Sequence, residues 1–345
     1  MVIGMCPALE TLMVTTISLL ILSAAVIYWS CEYFVNGVEW IGQRFGLTQN
    51  ATGTVLAAFG TALPESVVTF VAVAFGKDAS SKDIGVGAAL GGPLVLATIA
   101  YAVVGITYLT MKDRMRWSGV MQSTGALMAR DQRWFMCIFV FKLVLGMVAF
   151  AYKPWLGVLF LLAYGAYVHK SMSAEGECAV AEDLEPLKLR PHAAEPHAGW
   201  AILQTVLALV VIFAASQLFV HRLEDIGPML GISPQIVALL LSPVATELPE
   251  TLNAVIWVRQ RKPDLALANI SGAMMIQATI PSALGMFFTP WMLDRALLWA
   301  GIVTMASIAG LYLLIRLHKL TARRFSMFAL LYGVFGIGLA WVAHH

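Results

Sequence analysis

The sequence predicts an all-α membrane protein of ten transmembrane helices, built as two inverted five-helix repeats with broken helices at the centre. Three observations carry this. The 345 residues are 59% hydrophobic and 12% charged, with mean hydropathy +0.79, whereas a soluble domain carries about 25% charge. The chain divides into ten apolar runs, most of them close to the roughly 20 residues of one bilayer crossing. A short motif occurs twice, in runs five crossings apart.

Taken in order, the expected spans are 11–33, 47–75, 84–109, 134–151, 155–169, 200–220, 232–258, 265–288, 296–317 and 325–343. A polar, basic segment at 111–133 separates the third and fourth. Its stretch from Ser118 to Met128 holds glutamine, serines and threonine, and is expected as a loop or surface helix. The turn at Lys153-Pro154 joins the fourth and fifth. Segment 171–199 is rich in Glu, Pro, His and Ala, has no apolar period, and is expected as a cytoplasmic linker. The halves are then 1–170, with a repeat core near 33–110, and 200–345, with a repeat core near 220–286.

Basic residues orient these spans. With the N-terminus outside, the inside segments hold Arg44, Lys112, Arg114, Arg116, Arg130, Arg133, Lys170, Lys188, Arg190, Arg259, Arg261, Lys262, Arg316, Lys319, Arg323 and Arg324. The outside segments hold only Lys77, Lys82, Lys153, Arg222 and Arg295. That asymmetry fits the positive-inside rule for ten spans with both termini outside, in an inner (plasma) membrane. A miscounted span would scatter basic loops to both sides.

The two copies of the motif read Phe59-Gly60-Thr61-Ala62-Leu63-Pro64-Glu65 and Val244-Ala245-Thr246-Glu247-Leu248-Pro249-Glu250. Proline lacks the N–H that would bond the carbonyl four residues back, so the carbonyls of Gly60 and Ala245 are expected to be freed. Lipid offers such a carbonyl no partner, so it must face protein or a wet cavity. An intramembrane Glu beside freed carbonyls is an oxygen-rich place for a cation. A shift of 185 positions also superposes Glu39 on Glu224, Ile41 on Ile226, Gly42 on Gly227 and Gly46 on Gly231. Farther on, Asp83 matches Asp264 and Gly91 matches Gly272. Five crossings is an odd number, so the matched spans run in opposite directions. Inverted repeats of this kind belong to secondary transporters, with the site at the repeat interface.

The two motifs resemble the alpha-repeats of the cation/calcium exchanger superfamily, whose usual form is Gly-Thr-Ser-Leu-Pro-Glu. Arg44-Phe45-Gly46-Leu47 and Asp264-Leu265-Ala266-Leu267 share that likeness. The resemblance implies a ten-helix antiporter exchanging a cation, often calcium, for sodium or protons. The chain departs from the pattern at Ala62, Ala245 and Glu247. Where the family's third and eighth spans usually carry Gly-Asn-x-x-Gly-Ser-Asn, this chain has Gly87-Ala88-Ala89-Leu90-Gly91-Gly92-Pro93 and Ala268-Asn269-Ile270-Ser271-Gly272-Ala273-Met274. Pro93 and Met274 thus replace expected ligands, leaving Asn269, Ser271 and Gln277 as polar groups there. Calcium takes six to eight hard oxygens, so this set is poorer than the family norm, although Glu247 adds a carboxylate.

The expected ion ligands are therefore Glu65, Glu250 and Glu247 as charges, with Thr61, Thr246 and the carbonyls of Gly60 and Ala245 as neutral oxygens, and Asn269, Ser271 and Gln277 in support. Helical spacing puts Thr61 with Glu65, Thr246 with Glu250, and Glu247 with Glu250 on shared faces. The expected partners are inorganic cations and the lipid bilayer, with no cofactor and no nucleic acid.

Competing readings exist for each feature. Glu65 and Glu250 could be structural hydrogen-bonders, and Glu247 could face a wet vestibule. Met274 and Met275 read as core fillers before soft-metal ligands. Lys142, inside a span without an evident partner, reads as snorkelling. Glu39 and Glu224 read as gate residues or as interfacial charge. His192, His197, His344 and His345 read as solvated. The four cysteines, Cys6, Cys31, Cys137 and Cys178, have no metal or redox spacing. An intramembrane enzyme using the paired carboxylates for acid–base work is disfavoured, because no Gly-x-Gly-Asp, His-Glu-x-x-His or Gly-x-Ser-x-Gly stretch occurs in the spans. A non-calcium cation/proton antiporter and a non-transporting ion sensor are the alternatives.

Overall fold

The computed structural model describes residues 7–75, 79–111, 117–173, 184–193, 195–229 and 240–344. Among the described residues every regular element is helical. The elements are α1 (Pro7–Arg44), α2 (Gln49–Ala51), a π-helical segment (Thr52–Ala57), α3 (Ala58–Phe75), α4 (Ala79–Val95), a second π-helical segment (Leu96–Ala100) and α5 (Tyr101–Thr110). After these come α6 (Trp117–Met147), a 3-10 turn (Lys153–Leu156), α7 (Gly157–Met172) and α8 (Ala198–Met229). The chain continues as α9 (Ser242–Thr246), α10 (Leu248–Arg259), α11 (Pro263–Phe288), α12 (Arg295–Arg316), α13 (Ala322–Ser326) and α14 (Ala329–His344).

Local chemistry sets several of these ends. Gly46, at φ +62, closes α1, and the Leu47 N–H returns to the Gly42 carbonyl at 2.9 Å, the six-to-one bond of a glycine cap. Thr48 accepts from the Ala51 N–H at 3.2 Å and Asp294 from the Leu297 N–H at 2.8 Å. These side chains satisfy orphan donors at the starts of α2 and α12.

Among the described residues six helical stretches are long and apolar enough to cross a bilayer: Leu12–Arg44, Gly85–Thr110, Ala198–Arg222, Pro263–Phe288, Arg295–Arg316 and Ala322–Val342. They coincide with the first, third, sixth, eighth, ninth and tenth expected spans. The other four are not among these six, and residues 232–239 of the seventh and side chains of the second, 63–65 among them, lie outside the described residues. The second is interrupted by π geometry, and the seventh breaks at Glu247. The fifth is a 16-residue helix, short of the roughly 20 residues of a crossing. The fourth belongs to α6, a single 31-residue helix. Helix thus runs from Trp117 through the stretch expected as a separate polar segment. Its Val120, Thr124, Gly125 and Met128 are buried, which ties that stretch to the body of the protein.

α11 is the central helix. It is buried over nearly its whole length and packs against α3, α4, α6, α7 and α10. Small residues make this possible, because lipid gives no hydrophobic drive between helices and close backbone approach must supply the attraction. At Gly53 an added Cβ would stand 2.6 Å from the Ala268 side chain, and at Gly272 it would overlap the Thr54 backbone. The π-helical segment therefore seats directly on α11. α1 and α8 pack side by side over much of their length, closest where Gly37 meets Thr205. Asn36 and Gln204 join them at 2.9 Å. Both amides also hold the described part of the 171–199 segment, through Glu185, Lys188 and Leu189. Large apolar side chains such as Trp29, Ile21, Leu162, Ile337 and Trp341 are exposed, as on a lipid-facing surface.

Candidate functional site

The second motif forms an interrupted helix. α9 ends at Thr246, and Glu247, at φ −86 and ψ 6, is the N-cap of α10. Pro243 opens α9 and Pro249 opens α10, each where proline's missing N–H costs least. Glu247 is 0% exposed and Glu250 1%. Glu247 at the N-cap and Glu250 in the first turn both stand at the start of α10, where the positive end of the helix dipole favours negative charge. The Ala245 carbonyl, denied its usual donor by Pro249, is reached by the Glu247 N–H, which also bonds the Pro243 carbonyl at 3.1 Å. Ala245 is buried and Thr246 half-buried, with the Thr246 hydroxyl donating to the Pro243 carbonyl at 3.1 Å.

α11 brings a side chain to this break. Gln277 Nε2 donates to Glu247 Oε1 at 2.7 Å, and both groups are buried. α4 closes the other side through its glycines. A Cβ on Gly92 would lie 2.5 Å from Gln277 Oε1 and 2.7 Å from Glu247 Oε1, and one on Gly91 would lie 2.8 Å from Pro243 Cγ. Gln277 Oε1 has no hydrogen-bond partner among the described residues. A carbonyl-type oxygen is thus buried beside a carboxylate.

The first motif differs. α3 is helical throughout, across Pro64, so the expected break is absent there. The irregularity lies one turn earlier, in the π-helical Thr52–Ala57. A π segment absorbs one extra residue per turn and so re-aims the backbone without a gap. Thr61 is buried and donates to the Ala57 carbonyl at 3.2 Å, its lone pairs remaining as acceptors. Gly60 faces the Phe34 ring of α1 and Leu209 of α8. The side chain of Glu65 lies outside the described residues, as do the side chain of Glu224 and the whole of Cys6, Cys178 and His345.

The eighth-span candidates divide. Asn269 is 0% exposed, and neither amide atom has a hydrogen-bond partner among the described residues. Ser271 belongs to another cluster. Its hydroxyl pairs with Tyr101 at 3.0 Å, and Tyr101 accepts from Gln132 Nε2 at 2.6 Å. At 100° per residue Ser271 lies well round the helix from Gln277, so it does not join the carboxylates. Met274 and Met275 are buried in the apolar core, the filler role.

Two residues depart from their expected settings, and a third was not singled out in the sequence. Lys142 does not snorkel: it is 0% exposed, and its Nζ donates to the Ala89 carbonyl at 2.8 Å. Glu39 is not surface charge. It is 5% exposed, accepts from Trp257 Nε1 at 2.8 Å and pairs with Lys262 Nζ. Asn253, unremarked in the sequence, is 0% exposed, and neither amide atom has a hydrogen-bond partner among the described residues. Its signal was available, since it lies three residues after Glu250 and so about one turn along the same helix. Cys31 is buried and Cys137 exposed. Among the described residues no three His, Cys, Asp or Glu side chains converge on one point.

Comparison with known proteins places this geometry in context. The candidate antiporter CaxA of Alkalimonas amylolytica is 26% identical over 323 residues, spanning 90% of this chain and 92% of that protein. The inner membrane protein YrbG of Escherichia coli is 22% identical over 286 residues, spanning 82% of each chain. A solved structure of the sodium-calcium exchanger NCX_Mj shares the fold, with TM-score 0.70 at 18% identity, covering 93% of this chain and 98% of that one. The sodium/calcium exchanger protein family matches residues 15–172 and 200–341. On that match the chain belongs to the sodium/calcium exchanger protein family, and it is an integral membrane transporter rather than an enzyme.

Proposed function

We propose that the chain is a secondary antiporter that carries a divalent cation, calcium being the leading case, through a carboxylate site near the bilayer midplane, in exchange for sodium or protons. The observation that carries this reading is the burial of Glu247 and Glu250 at a helix break, with Gln277 bonded to Glu247. Carboxylates inside a membrane are costly and mark ion pathways. Broken helices that offer termini and carbonyls to ions are the usual construction of transporter sites. Glu65 completes the site from the first motif, with Thr61, Thr246 and the carbonyls of Gly60 and Ala245 as neutral oxygens. The family membership and the antiporter name borne by CaxA support the same class.

The reading includes the two-half architecture: residues 1–170 and 200–345 as inverted halves of five crossings each, joined by a cytoplasmic linker, with both termini outside. The one-sided basic residues and the odd separation of the motifs support it. The interrupted helices at the second and seventh positions suit crossings that are surrounded by protein rather than lipid.

The test is flux in proteoliposomes over a panel of calcium, manganese and magnesium, driven by sodium or pH gradients. Glu65→Gln and Glu250→Gln are each expected to abolish flux while the protein stays folded in the membrane. A divalent ion leaving water loses hydration that neutral oxygens alone do not replace. Full flux in either variant removes the site assignment, and no gradient-driven flux of any panel ion in the wild type removes the antiport reading.

A further inference from the structure

Lys142 is the one fully buried lysine side chain among the described residues at 0% exposure, and the carboxylate site makes no direct use of it. It rises from α6 and reaches α4, where its Nζ donates to the Ala89 carbonyl at 2.8 Å. Its ammonium also stands 4.4 Å from the centroid of the Phe139 ring. No carboxylate among the described residues pairs with it. A buried ammonium without a carboxylate is expensive, so the site that holds it is a specific one.

The acceptor is not an ordinary helix carbonyl. Pro93 lies inside α4, and proline denies a donor to the carbonyl four residues back. For Pro93 that carbonyl is Ala89. The oxygen that Lys142 holds is therefore the one α4 leaves unpaired. Freed carbonyls in interrupted transporter helices are typical ligands for sodium. Here a covalently attached ammonium occupies that position. The same turn of α4 presents Gly92 to Glu247 and Gln277, so the ammonium and the carboxylate lie against one helical turn.

We propose that Lys142 is a tethered cation of the transport site. Its ammonium holds the Ala89 carbonyl in place of a monovalent ion, so the chain itself supplies part of the positive charge its carboxylates require and the exchange uses one free ion fewer. The proposal rests on the antiport reading above. It makes Lys142 and Pro93 a matched pair: the proline exposes the oxygen and the lysine fills it. Lys142 positions and balances charge, and the transported ion is held by other groups.

The test compares wild type with Lys142→Gln, Lys142→Met and Lys142→Arg. Gln can still donate to the Ala89 carbonyl without charge, Met cannot donate, and Arg keeps the charge. The first readout is equilibrium binding of radioactive sodium to purified protein in detergent. The second is the charge moved per calcium ion in proteoliposomes. Lys142→Gln and Lys142→Met are expected to bind sodium roughly tenfold more tightly than wild type, because a neighbouring like charge has gone, and to couple one further sodium to each calcium. Lys142→Arg is expected to behave as wild type does. If Met prevents folding, Gln, which keeps the hydrogen bond, carries the comparison. Sodium affinity and charge per calcium unchanged in Lys142→Gln would overturn the proposal and leave the lysine as a pin for the α4 backbone. A wild type that exchanges no cation defeats the antiport reading alone, since sodium binding is read without flux.

Discussion

Gln277 on α11 donates through Nε2 to Glu247 Oε1 across 2.7 Å, linking the central helix of the second half to the carboxylate at its helix break. A carboxylate 0% exposed depends on donors aimed at it, because an unsatisfied buried acceptor costs about 1–3 kcal/mol and more when charged. Gln277→Leu is expected to lower thermal stability in detergent by about 1–3 kcal/mol and to reduce cation flux. Differential scanning fluorimetry and tracer uptake measure the two effects. Wild-type values in both would remove Gln277 from the site.

Gly92 leaves the space in which Glu247 and Gln277 meet. An added methyl would stand 2.5 Å from one oxygen and 2.7 Å from the other, closer than carbon and oxygen pack without displacement. Gly92→Ala is therefore expected to abolish flux by pushing the pair apart. Gly87→Ala is the control on the same helix, since its nearest neighbour would be Leu297 Cδ2 at 4.0 Å. That change is expected to keep flux and to stabilise α4 by roughly 0.5–1 kcal/mol, the ordinary gain of Ala over Gly in a helix. Equal flux in the two variants would count against a functional contact at Gly92.

Glu39 ties α1 to the start of the central helix. It accepts from Trp257 Nε1 of α10 at 2.8 Å and pairs with Lys262, just before α11. Gln at this position keeps an acceptor for the indole but loses the charge. Lys262 retains 22% side-chain exposure and can turn toward water, which limits the cost. Glu39→Gln is expected to lower stability by about 1–2 kcal/mol, below the 3–5 of a fully buried broken pair. Chemical or thermal unfolding in detergent measures it, and an unchanged midpoint would show that the pair contributes nothing.

The sequence carried the features that obey local rules. Proline beside a carboxylate in an apolar run, repeated at an odd number of crossings, identified the motif, and the structure buries Glu247 and Glu250 where it falls. Local rules could not say which side of α11 each polar residue takes in the packed protein, and Ser271 went to Tyr101 while Gln277 went to Glu247. They overstated the effect of Pro64: the helix runs on through it, and the irregularity falls instead at the π-helical turn of Thr52–Ala57. They also missed the partner of Lys142, an oxygen 53 residues away in sequence. The clue was Pro93, whose presence in a helical run already implied a free carbonyl at Ala89. The surface-charge reading of Glu39 failed for the same reason: its partners, Trp257 and Lys262, come from the other half of the chain.

Glu247 bears on the choice of counter-ion. It stands where the family pattern carries Ser, and it is buried within one helical turn of Glu250. Carboxylates this close compete for the same cations and the same protons. On the proposed carboxylate site, the site is expected to gain a proton when the cation leaves and to lose it when the cation returns. That exchange needs no sodium. Flux is therefore expected to be inhibited at acid pH and to be driven by a pH gradient alone. Glu247→Ser removes one competing carboxylate, so its inhibition is expected to begin at lower pH, with a reduced yield of protons per cation. The measurement is vesicle uptake of calcium and manganese under an imposed pH gradient, with and without sodium, over a range of pH in wild type and Glu247→Ser. Strict dependence on a sodium gradient, together with one pH profile for both proteins, would rule out proton exchange at Glu247.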